Sequence, residues 1–342
     1  MSVEKVVINK PGGYKSLKLV GVPDCVPDDH EYCIEVSAAG VNYADIIIRE
    51  GYYKAAKGRY PITPGFEFSG VITEGGKAAQ GFSIGDKVFG YTLFGGYASR
   101  ICVTPHCIRK IPEGWNLEEA AAIPTGYLTA YHALHNTAHA RKNDVVLIHS
   151  AAGGVGLAML QLSRLIGCQA IAVVGHSSKL EIVKEFGASH AVLKGKRMWQ
   201  EIDEIAPSGF DIILDSNGIS TPRKGFQRLR PGGRLVVYGF AELFPRGGKP
   251  FLPFLIYKAL QIPKINLRSL TSTNRAVLGF NLAYLTEQIE VANVAFNEVE
   301  TLMKEGRIKK YPLRLFPISK VANAHTYLET GNSIGKILLT FD

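Results

Sequence analysis

Apolar and polar positions follow two patterns along the 342 residues of the chain. Up to residue 123, short apolar runs of strand length are separated by Pro and Gly, and helical spacing persists only over residues 43–51. From residue 124 onward, strand-like runs alternate with helix-like stretches, which is typical of a parallel, doubly wound sheet. The pattern predicts an α/β protein with a β-rich domain at residues 1–123 and a parallel-sheet domain at residues 124–306.

The individual elements are predicted from the same runs. Strands are expected at residues 5–9, 31–38, 70–73, 87–90, 98–103, 145–150, 169–174, 191–193, 210–216 and 233–239, with helices at residues 178–186, 198–206 and 221–229. A Pro-, Phe- and Lys-rich stretch follows at residues 244–264. Beyond it, the pattern predicts a further strand at residues 266–271 and a long helix at residues 282–305.

The apolar run at residues 145–150 leads into a Gly-rich turn and then into a helix-like stretch. A strand, such a turn, a helix and a second strand within about 30 residues form the context of a dinucleotide-binding fingerprint. Gly153 would let the backbone approach a pyrophosphate, and Gly156 would let the helix pack close to the strand. The predicted cofactor contacts in this turn are Ala152, Gly153, Gly154, Val155 and Gly156. The alternative is a tight turn in another kind of α/β protein.

The residues after the second strand of this unit indicate which dinucleotide binds. Many NAD sites have a carboxylate there, whereas this chain has Gly175, His176, two serines and Lys179. A carboxylate would repel a 2′-phosphate, while hydroxyl groups and a lysine would bind it. With Lys194 in the loop after the third strand, this favours NADPH over NADH, with Ser177, Lys179 and Lys194 as phosphate contacts. Ser177 is also a good N-cap for the next helix, and both roles can hold together.

The net charge and the cysteine content restrict which ligands and which cell compartment the sequence suits. The net charge of +9 suits an enzyme for anionic ligands or a protein that touches acidic membranes or nucleic acid. A nucleic-acid partner is not expected, because the basic residues form no recognisable binding motif. Five scattered cysteines predict a reduced, cytoplasmic protein. The N-terminal residues do not follow a signal-peptide pattern, and no apolar run reaches the length of a membrane-spanning helix.

Several segments, in order over almost the whole chain, resemble the medium-chain dehydrogenase/reductase superfamily, in its zinc-free quinone oxidoreductase type. They include residues 38–45 (AAGVNYAD), 61–67 (PITPGFE), 85–88 (GDKV), 125–131 (TGYLTAY) and 335–339 (GKILL). Residues 238–241 and 274–285 resemble the branch of the synaptic vesicle membrane protein (vesicle amine transport) homologues. The resemblance implies a GroES-like catalytic domain at residues 1–123, completed by residues 307–342. It also implies a Rossmann domain at residues 124–306, with the active site in the cleft between them.

Two positions in these segments bear on zinc. Asn42 and Phe66 stand where zinc alcohol dehydrogenases of this family have a Cys and a His that bind catalytic zinc. An amide and a phenyl ring cannot replace thiolate and imidazole as zinc ligands. The tight run of four cysteines that binds structural zinc is also absent from the sequence. The sequence therefore predicts no metal, and an acceptor that needs little polarisation, such as a quinone or an activated enone.

The resemblance also assigns site residues. It places four residues around the nicotinamide pocket: the catalytic group Tyr53, Asn42 and Asp45, together with Thr129. Asn42 and Thr129 would hydrogen-bond the carboxamide or its surroundings. Tyr53 is the candidate hydrogen-bond donor to the substrate oxygen, since a phenol with an ordinary pKa stays protonated at neutral pH; packing within its loop is the alternative. The remaining cofactor contacts expected from the sequence are Asn217, Tyr238 and Phe240.

Three functions compete at this stage. The first is an NADPH-dependent reductase of a quinone or an activated enone. The second is a nucleotide-binding, membrane-associated protein with weak or no reductase activity, because apolar and basic residues occur together in residues 246–268. A lid over the substrate cleft or a dimer contact is the favoured role of that stretch, because an insertion after the fifth strand borders the cleft. The third is an enoyl-thioester reductase. The resemblance further implies a homodimer in which the strand at residues 266–271 pairs with its mate.

Overall fold

The computed structural model describes residues 3–243, 252–285 and 288–341. The chain divides into two compact units: Met1–Leu128 together with Ala283–Asp342, and Thr129–Leu282. The second division falls earlier than the predicted boundary after residue 306. The reason is packing in the first unit, where the Phe296 ring lies edge-on against Phe89 and Tyr91, each with ring centroids 5.3 Å apart.

The elements of the described residues are as follows. The strands are β1 (Val3–Ile8), β2 (Leu17–Val22), β3 (Tyr32–Val41), β4 (Glu67–Gly75), β5 (Lys87–Tyr91), β6 (Arg100–Val103), β7 (Ile108–Lys110), β8 (Val145–Ile148), β9 (Gln169–Val174), β10 (His190–Leu193), β11 (Phe210–Asp215), β12 (Leu229–Val237), β13 (Ala276–Gly279), β14 (Leu313–Pro317) and β15 (Lys336–Thr340). The helices are α1 (Tyr43–Glu50), α2 (Leu117–Ala121), α3 (Pro124–Tyr131), α4 (Gly154–Ile166), α5 (Leu180–Glu185), α6 (Met198–Ile205), α7 (Pro222–Gln227), α8 (Leu252–Leu260), α9 (Leu267–Thr273), α10 (Leu282–Leu285), α11 (Ile289–Lys304) and α12 (Val321–Glu329).

The first unit is built on a seven-stranded sheet of order β14-β15-β3-β4-β5-β7, in which β6 also pairs with β3. β15 runs antiparallel to β3 with Ile337 opposite Val41, and β3 runs antiparallel to β4 with Ala39 opposite Phe68. The end of β3 and the starts of β4 and β15 therefore meet at one place. Asn42, Glu67 and Lys336 occupy that place.

The second unit contains a six-stranded sheet of order β10-β9-β8-β11-β12-β13 with every neighbouring pair parallel. The strand order reverses between β8 and β11, so this is the predicted doubly wound sheet. Its switch point lies where Ile148 and Asp215 end adjacent strands. In sheets of this kind ligands bind outside the carboxyl ends of the strands at the switch point.

The segment at residues 266–271 was predicted as a strand, and this is wrong: it lies in helix α9. The Asn266 side chain caps the helix by accepting from Arg268 N at 3.0 Å. Hydroxyl groups then bond back to carbonyls of the preceding turn, as Thr273 Oγ1 does to Ser269 O at 2.6 Å. The Asn266 cap satisfies a free N–H group at the helix start, and Leu267 and Leu270 are three positions apart, which is helical spacing. The edge strand at that end of the sheet is instead β13.

Other predictions near this region change as well. The helix predicted at residues 282–305 is described as two helices, α10 and α11. Part of the predicted membrane-contact stretch, residues 246–251, lies outside the described residues. No helix in the described parts of the chain combines the length and the apolar character needed to cross a bilayer.

The prediction of an entirely reduced set of cysteines also fails in the structure. Cys33 in β3 and Cys102 in β6 face each other across the antiparallel strand pair and form a disulfide, with their Cα atoms 4.2 Å apart. The two residues are 69 positions apart in the chain, so only the sheet register brings them together.

Candidate active site

The turn after β8 has the shape of a dinucleotide cradle. Ser150 adopts a positive φ of 56°, and α4 begins at Gly154. A Cβ on Gly156 would lie 2.5 Å from the Cα and the carbonyl oxygen of Ala151. Only glycine therefore lets the first turn of α4 pack this close to the loop. The five predicted contacts of the turn, residues 152–156, form one continuous segment.

Gly153 differs from Gly156 in its surroundings. A Cβ on Gly153 would meet only the Ser150 carbonyl oxygen, at 3.7 Å, so packing within the chain does not require glycine there. Gly153 is the N-cap of α4, and the helix start has no side-chain cap. The uncapped N–H groups of a 13-residue helix attract an anion. Space at Gly153 and uncapped donors beside it fit a pyrophosphate group.

The residues after β9 divide into exposed hydroxyls and a buried lysine. Ser177 is exposed, whereas Lys179 is only 6% exposed. The structure corrects the expected N-cap: His176, not Ser177, caps the following turn, and His176 Nδ1 accepts from Ser178 N at 3.2 Å. The strand end thus offers hydroxyl groups, with the Lys179 ammonium nearby in sequence and no carboxylate between residues 175 and 179.

Lys194, the other predicted phosphate contact, meets a carboxylate that sequence reasoning did not place there. Lys194 Nζ lies 2.8 Å from Glu242 Oε1, and Glu242 also accepts from the backbone N and the hydroxyl of Ser220. Burial opposes ionisation of Glu242, yet the bonds from Lys194 and Ser220 hold its pKa below the usual value. Lys194 would have to share its ammonium between Glu242 and a bound phosphate.

Asn217 follows β11, at the strand end beside the Gly-rich turn. Ser216 Oγ donates to Ser150 Oγ at 3.0 Å, which links the two strand ends directly. Asn217 Nδ2 donates to Thr221 Oγ1 at 3.2 Å, and the residue is buried. Asp215 Oδ1 accepts from the backbone N of Asn217 at 2.8 Å, while Asp215 Oδ2 is buried without a hydrogen-bond partner. The side chain of Asn217 therefore has a fixed orientation before any ligand arrives.

Three further predicted cofactor contacts occupy different environments. Tyr238 follows β12 and stacks on Phe280, with ring centroids 6.3 Å apart. Phe240 is 40% exposed and covers Gly218, whose positive φ of 79° requires glycine. Thr129 is only 7% exposed and lies within α3. Among the three, Phe240 has the most surface available to a ligand.

In the first unit, Asn42 stands at the junction of β3 and α1 and has both ends of its amide engaged. Asn42 Nδ2 donates to Glu67 Oε1 at 2.8 Å, and Lys336 Nζ donates to Asn42 Oδ1 at 2.6 Å. Lys336 also forms an ion pair with Glu67, and the two residues are 4% and 0% exposed. Glu67 Oε2 accepts from Thr125 N at 2.7 Å. An ammonium on its oxygen and a carboxylate on its nitrogen fix the amide of half-buried Asn42.

Asp45 is fully buried, and its side chain accepts hydrogen bonds from neighbouring groups of the protein instead of from solvent. Its carboxylate accepts from Asn42 N at 2.8 Å, from Gly65 N at 2.8 Å and from the Tyr97 hydroxyl at 3.0 Å. Burial raises the pKa of Asp45 to about 7, against these hydrogen bonds and the Lys336 charge, which lower it. Because Asp45 is 0% exposed, it positions the loop around Asn42 and is not available to touch a substrate.

A buried polar chain continues from Asp45. Tyr97 Oη lies 3.4 Å from His325 Nε2, and His325 Nδ1 lies 3.4 Å from the Arg49 guanidinium. Arg49 forms ion pairs with Glu50 at 2.8 Å and with Glu329 at 2.9 Å. Burial and the Arg49 charge lower the pKa of His325 to about 3, so this imidazole is neutral at neutral pH.

Tyr53 and Phe66 pack against each other. Their rings meet edge to face with centroids 5.8 Å apart, and Phe66 meets Phe94 at 5.7 Å on another side. Phe66 is 7% exposed, while Tyr53 is half-buried. Phe66 stands where zinc-dependent proteins of the resembling superfamily have a His. Here that position lies in a cluster of aromatic rings, and Tyr53 borders the cluster.

Sequence reasoning missed Glu67 and Lys336 as functional residues. Each is the first residue of its strand and precedes a buried apolar residue, Glu67 before Phe68 in β4 and Lys336 before Ile337 in β15. A charged residue at a buried strand position is rarely tolerated without a partner, and that was the available signal. The partner could not be identified from the sequence because the two residues are far apart along the chain.

Comparison with known proteins places the chain in a family. Residues 28–144 match the family model of the alcohol dehydrogenase GroES-like domain, and residues 154–297 match the zinc-binding dehydrogenase model. The chain is 34% identical over 339 residues to the synaptic vesicle membrane protein VAT-1 homolog of Danio rerio, covering 98% of this chain and 69% of that protein. It is 32% identical over 337 residues to the quinone oxidoreductase of Pongo abelii, covering 96% and 94%.

A solved structure supports the same assignment. A mycobacterial protein complexed with NADPH superposes with a TM-score of 0.86 at 25% identity, covering 99% of this chain and 100% of the other. With the GroES-like unit and the parallel Rossmann-type sheet both present, this chain belongs to the medium-chain dehydrogenase/reductase superfamily of oxidoreductases, in the group that contains the quinone oxidoreductases and the VAT-1 homologues.

Proposed function

We propose that this protein is an NADPH-dependent oxidoreductase that transfers hydride to a quinone or an activated enone without zinc. The observation that carries the proposal is the arrangement around Asn42. Where zinc-dependent relatives hold thiolate and imidazole ligands, this chain has an amide held by Lys336 and Glu67, and the Phe66 ring packed between Tyr53 and Phe94. These groups are not zinc ligands, so the acceptor must be reducible without a Lewis acid.

NADPH is the cofactor that the second unit fits best. Its pyrophosphate would bind at the start of α4, next to Gly153, and a 2′-phosphate would lie among the exposed hydroxyls after β9 with Lys179 and Lys194 in the neighbouring turns. Bound NADPH would supply the hydride, and the protein supplies position and electrostatics. The similar mycobacterial protein is itself complexed with NADPH.

The residues of the first unit have distinct roles in this proposal. Asn42 donates its remaining amide N–H to an acceptor oxygen, because its Oδ1 accepts from Lys336 and its other N–H donates to Glu67. Tyr53 donates its phenolic proton to the same oxygen as negative charge develops there. Asp45, being fully buried, positions Asn42 and does not exchange protons with the substrate.

The cofactor preference is tested at Gly175. A side chain there would have open space, with no atom within 4 Å of a Cβ. Gly175→Asp places a carboxylate beside the expected 2′-phosphate and should weaken NADPH at least tenfold while sparing NADH. Gly175→Asn has the same shape without the charge and should leave the ratio near that of the wild type. Calorimetric titration of both variants decides; an unchanged ratio in Gly175→Asp would refute the assignment of this phosphate site.

Turnover is tested by stopped-flow oxidation of NADPH with a panel of quinones, enones and enoyl thioesters. Quinones or enones should be reduced faster than enoyl thioesters, and the reverse order would favour the enoyl-thioester reductase alternative. Prolonged treatment with a strong chelator should leave the rate unchanged. A loss of rate that added zinc restores would overturn the proposed zinc-independent mechanism.

A second candidate function has its own observation. On and after α8, apolar side chains are exposed beside basic ones: Ile256 is 53%, Tyr257 60% and Leu260 80% exposed, and Lys258 lies over the Phe254 ring. Apolar and basic residues on one helix suit a lipid interface. The alternative is therefore a cytoplasmic nucleotide-binding protein that touches membranes through this helix, with weak reductase activity or none.

Vesicle sedimentation separates this alternative from the reductase. Leu260→Asp should reduce binding to vesicles rich in phosphatidylserine, whereas Ile84→Asp, at another site that is 73% exposed, should not. If both variants bind the vesicles equally and the protein reduces quinones rapidly, the membrane-associated alternative is refuted and the reductase remains as the proposed function.

We also propose a homodimer, now through β13 rather than through residues 266–271. β13 is the last strand of its sheet and pairs on one side with β12. Pairing with the same strand of a second copy would cover its other edge. Sedimentation equilibrium should give twice the mass of the chain, and Leu278→Lys, which adds a charge to the edge strand, should shift the population to monomers.

A further inference from the structure

Three cysteines converge at one end of the GroES-like unit, and the proposed function uses none of them. Cys33 lies in β3, Cys102 in β6 and Cys25 in the segment between β2 and β3. Cys25 Sγ lies 3.0 Å from Cys102 Sγ and 3.9 Å from Cys33 Sγ. All three sulfur atoms lie within 4.8 Å of one another. We call these three residues the cysteine triad.

The triad is held by its surroundings. Arg100, two residues before Cys102, forms ion pairs with Asp24 at 2.7 Å and with Glu74 at 2.8 Å. Asp24 immediately precedes Cys25, so this guanidinium ties the segment of Cys25 to the edge of the sheet. The carbonyl oxygen of Cys25 also lies 3.6 Å from Cys33 Sγ. These contacts hold the three cysteines next to one another before any ligand binds.

Access to the triad runs through two of its members. Cys33 is fully buried, while Cys25 and Cys102 are partly exposed. A small ion can reach the sulfurs from solvent, and the buried side supplies a thiol shielded from water. Outside the triad, Cys107 and Cys168 are free and partly buried, and they provide controls on the same chain.

We propose that, once the Cys33–Cys102 disulfide is reduced, the cysteine triad binds one soft monovalent metal ion, Cu(I), through three thiolates. The donor set consists of sulfur alone, and thiolate ligands select Cu(I) over the harder divalent ions. Zinc in structural sites takes four protein ligands, and the described residues supply three here. The disulfide in the oxidised protein occupies two of the three donors, so binding depends on the redox state.

A phosphine with water, which yields the phosphine oxide, or two molecules of a small thiol, which yield their disulfide, gives two electrons and two protons to the Cys33–Cys102 disulfide. The sulfur–sulfur bond breaks, and Cys33 and Cys102 each take up one proton. Binding of Cu(I) then releases the three thiol protons and forms three sulfur–metal bonds. Because each thiol must lose its proton to bind the ion, binding weakens as the pH falls.

The test uses the full chain, reduced with a phosphine under anaerobic conditions and then freed of it. Cu(I) is added as its acetonitrile complex in competition with a chromophoric Cu(I) chelator. One equivalent should bind, with a sulfur-to-copper charge-transfer band in the ultraviolet. Cys25→Ser and Cys102→Ser should each weaken binding at least a hundredfold, whereas Cys107→Ser and Cys168→Ser should keep it. Circular dichroism checks that each variant is folded.

Four outcomes would overturn the proposal. Binding that survives Cys25→Ser would place the ion elsewhere, and equal binding by the oxidised protein would remove the role of the disulfide. Displacement of Cu(I) by an equal concentration of Zn²⁺ would refute the preference for a soft ion. Disulfide exchange among the three cysteines without metal uptake, read by mass mapping of alkylated peptides, would show a thiol relay instead.

Discussion

Lys336 and Glu67 form a buried ion pair next to Asn42 in the candidate site. Neither residue was assigned a role from the sequence. Their partnership depends on the register of β15, β3 and β4, which brings residues 67 and 336 together at Asn42. Asn42 and Phe66 were singled out because, by the resemblance, they stand where zinc-dependent proteins of the superfamily have zinc ligands, whereas Glu67 and Lys336 lie in equally recognisable segments but were given no role. A charge at the start of an apolar strand segment signals that a partner exists, but the sequence does not show which distant residue the strand register brings beside it.

Removing one member of that pair should cost much more than removing a surface charge. Lys336→Met leaves the Glu67 carboxylate buried without its cation, which is expected to lower the free energy of unfolding by about 3–5 kcal/mol. Lys110→Met breaks a surface pair with Asp86 and should cost less than about 1 kcal/mol. Urea denaturation of both variants measures this. Adding Glu67→Gln to Lys336→Met should recover part of the loss; no recovery would mean that the pair acts only through packing.

The two glycines of the cradle should respond differently to alanine. In Gly156→Ala the new methyl group meets the backbone of Ala151, and overpacking of this kind costs about 1–3 kcal/mol. In Gly153→Ala the chain leaves room for the methyl group, so stability should change by less than about 1 kcal/mol while NADPH binding weakens. Thermal unfolding and NADPH titration of both variants test the contrast, and normal NADPH affinity in Gly153→Ala would contradict a phosphate at that position.

Single elements were predicted well where the apolar pattern was regular. β9 has the predicted bounds, and α1 and α6 each differ from the prediction by one residue at the C-terminal end. The pattern failed at residues 266–271, where the Asn266 cap and the hydroxyl groups of α9 bond within the helix. The residues there do not alternate in polarity: Leu267 and Leu270 are three positions apart, a spacing that fits the observed helix and not a strand.

Helix α1 carries Asp45 in its first turn, and that carboxyl should make stability depend on pH. Its pKa of about 7 in the folded protein exceeds the value of about 3.9 in the unfolded chain. Between these values the folded state holds a proton that the unfolded state has lost, so this contribution to stability falls as pH rises toward 7. Glu50, with its pKa raised by burial to about 7, acts in the same direction, and His325, with its lowered pKa, acts in the opposite one.

Asp45→Asn isolates the contribution of Asp45. The variant should lose less stability than the wild type between about pH 5 and pH 7, with the slopes differing by up to about 1.4 kcal/mol per pH unit. Urea denaturation across this range, at constant ionic strength, gives both slopes. Parallel curves for the two proteins would mean that Asp45 stays ionised in the folded state.

On the scale of the whole chain, the division into a GroES-like unit and a parallel-sheet unit was predictable because the change of apolar period is long and regular. The sequence predicted that the chain returns to the first unit after residue 306, whereas in the structure it returns after Leu282. Helix α11 packs Phe296 against β5 and carries Asn297, which accepts from Arg109 at 2.8 Å. An amphipathic helix shows which of its faces is buried, but not against which sheet, so its membership could not be read from periodicity.

The two tryptophans of the chain allow the units to be followed separately. Trp115 lies in the first unit beside Lys310, and Trp199 lies in the second, edge-on to His149. Trp199→Phe leaves Trp115 as the reporter of the first unit, and Trp115→Phe leaves Trp199 as the reporter of the second.

NADPH at a hundred times its dissociation constant should stabilise the unit that binds it by about 2.7 kcal/mol. Since the proposed cradle lies wholly in the second unit, the urea midpoint read by Trp199 should rise with NADPH, and the midpoint read by Trp115 should rise less. A shift confined to Trp115 would move the cofactor to the GroES-like unit, and no shift in either would remove NADPH from the proposed function.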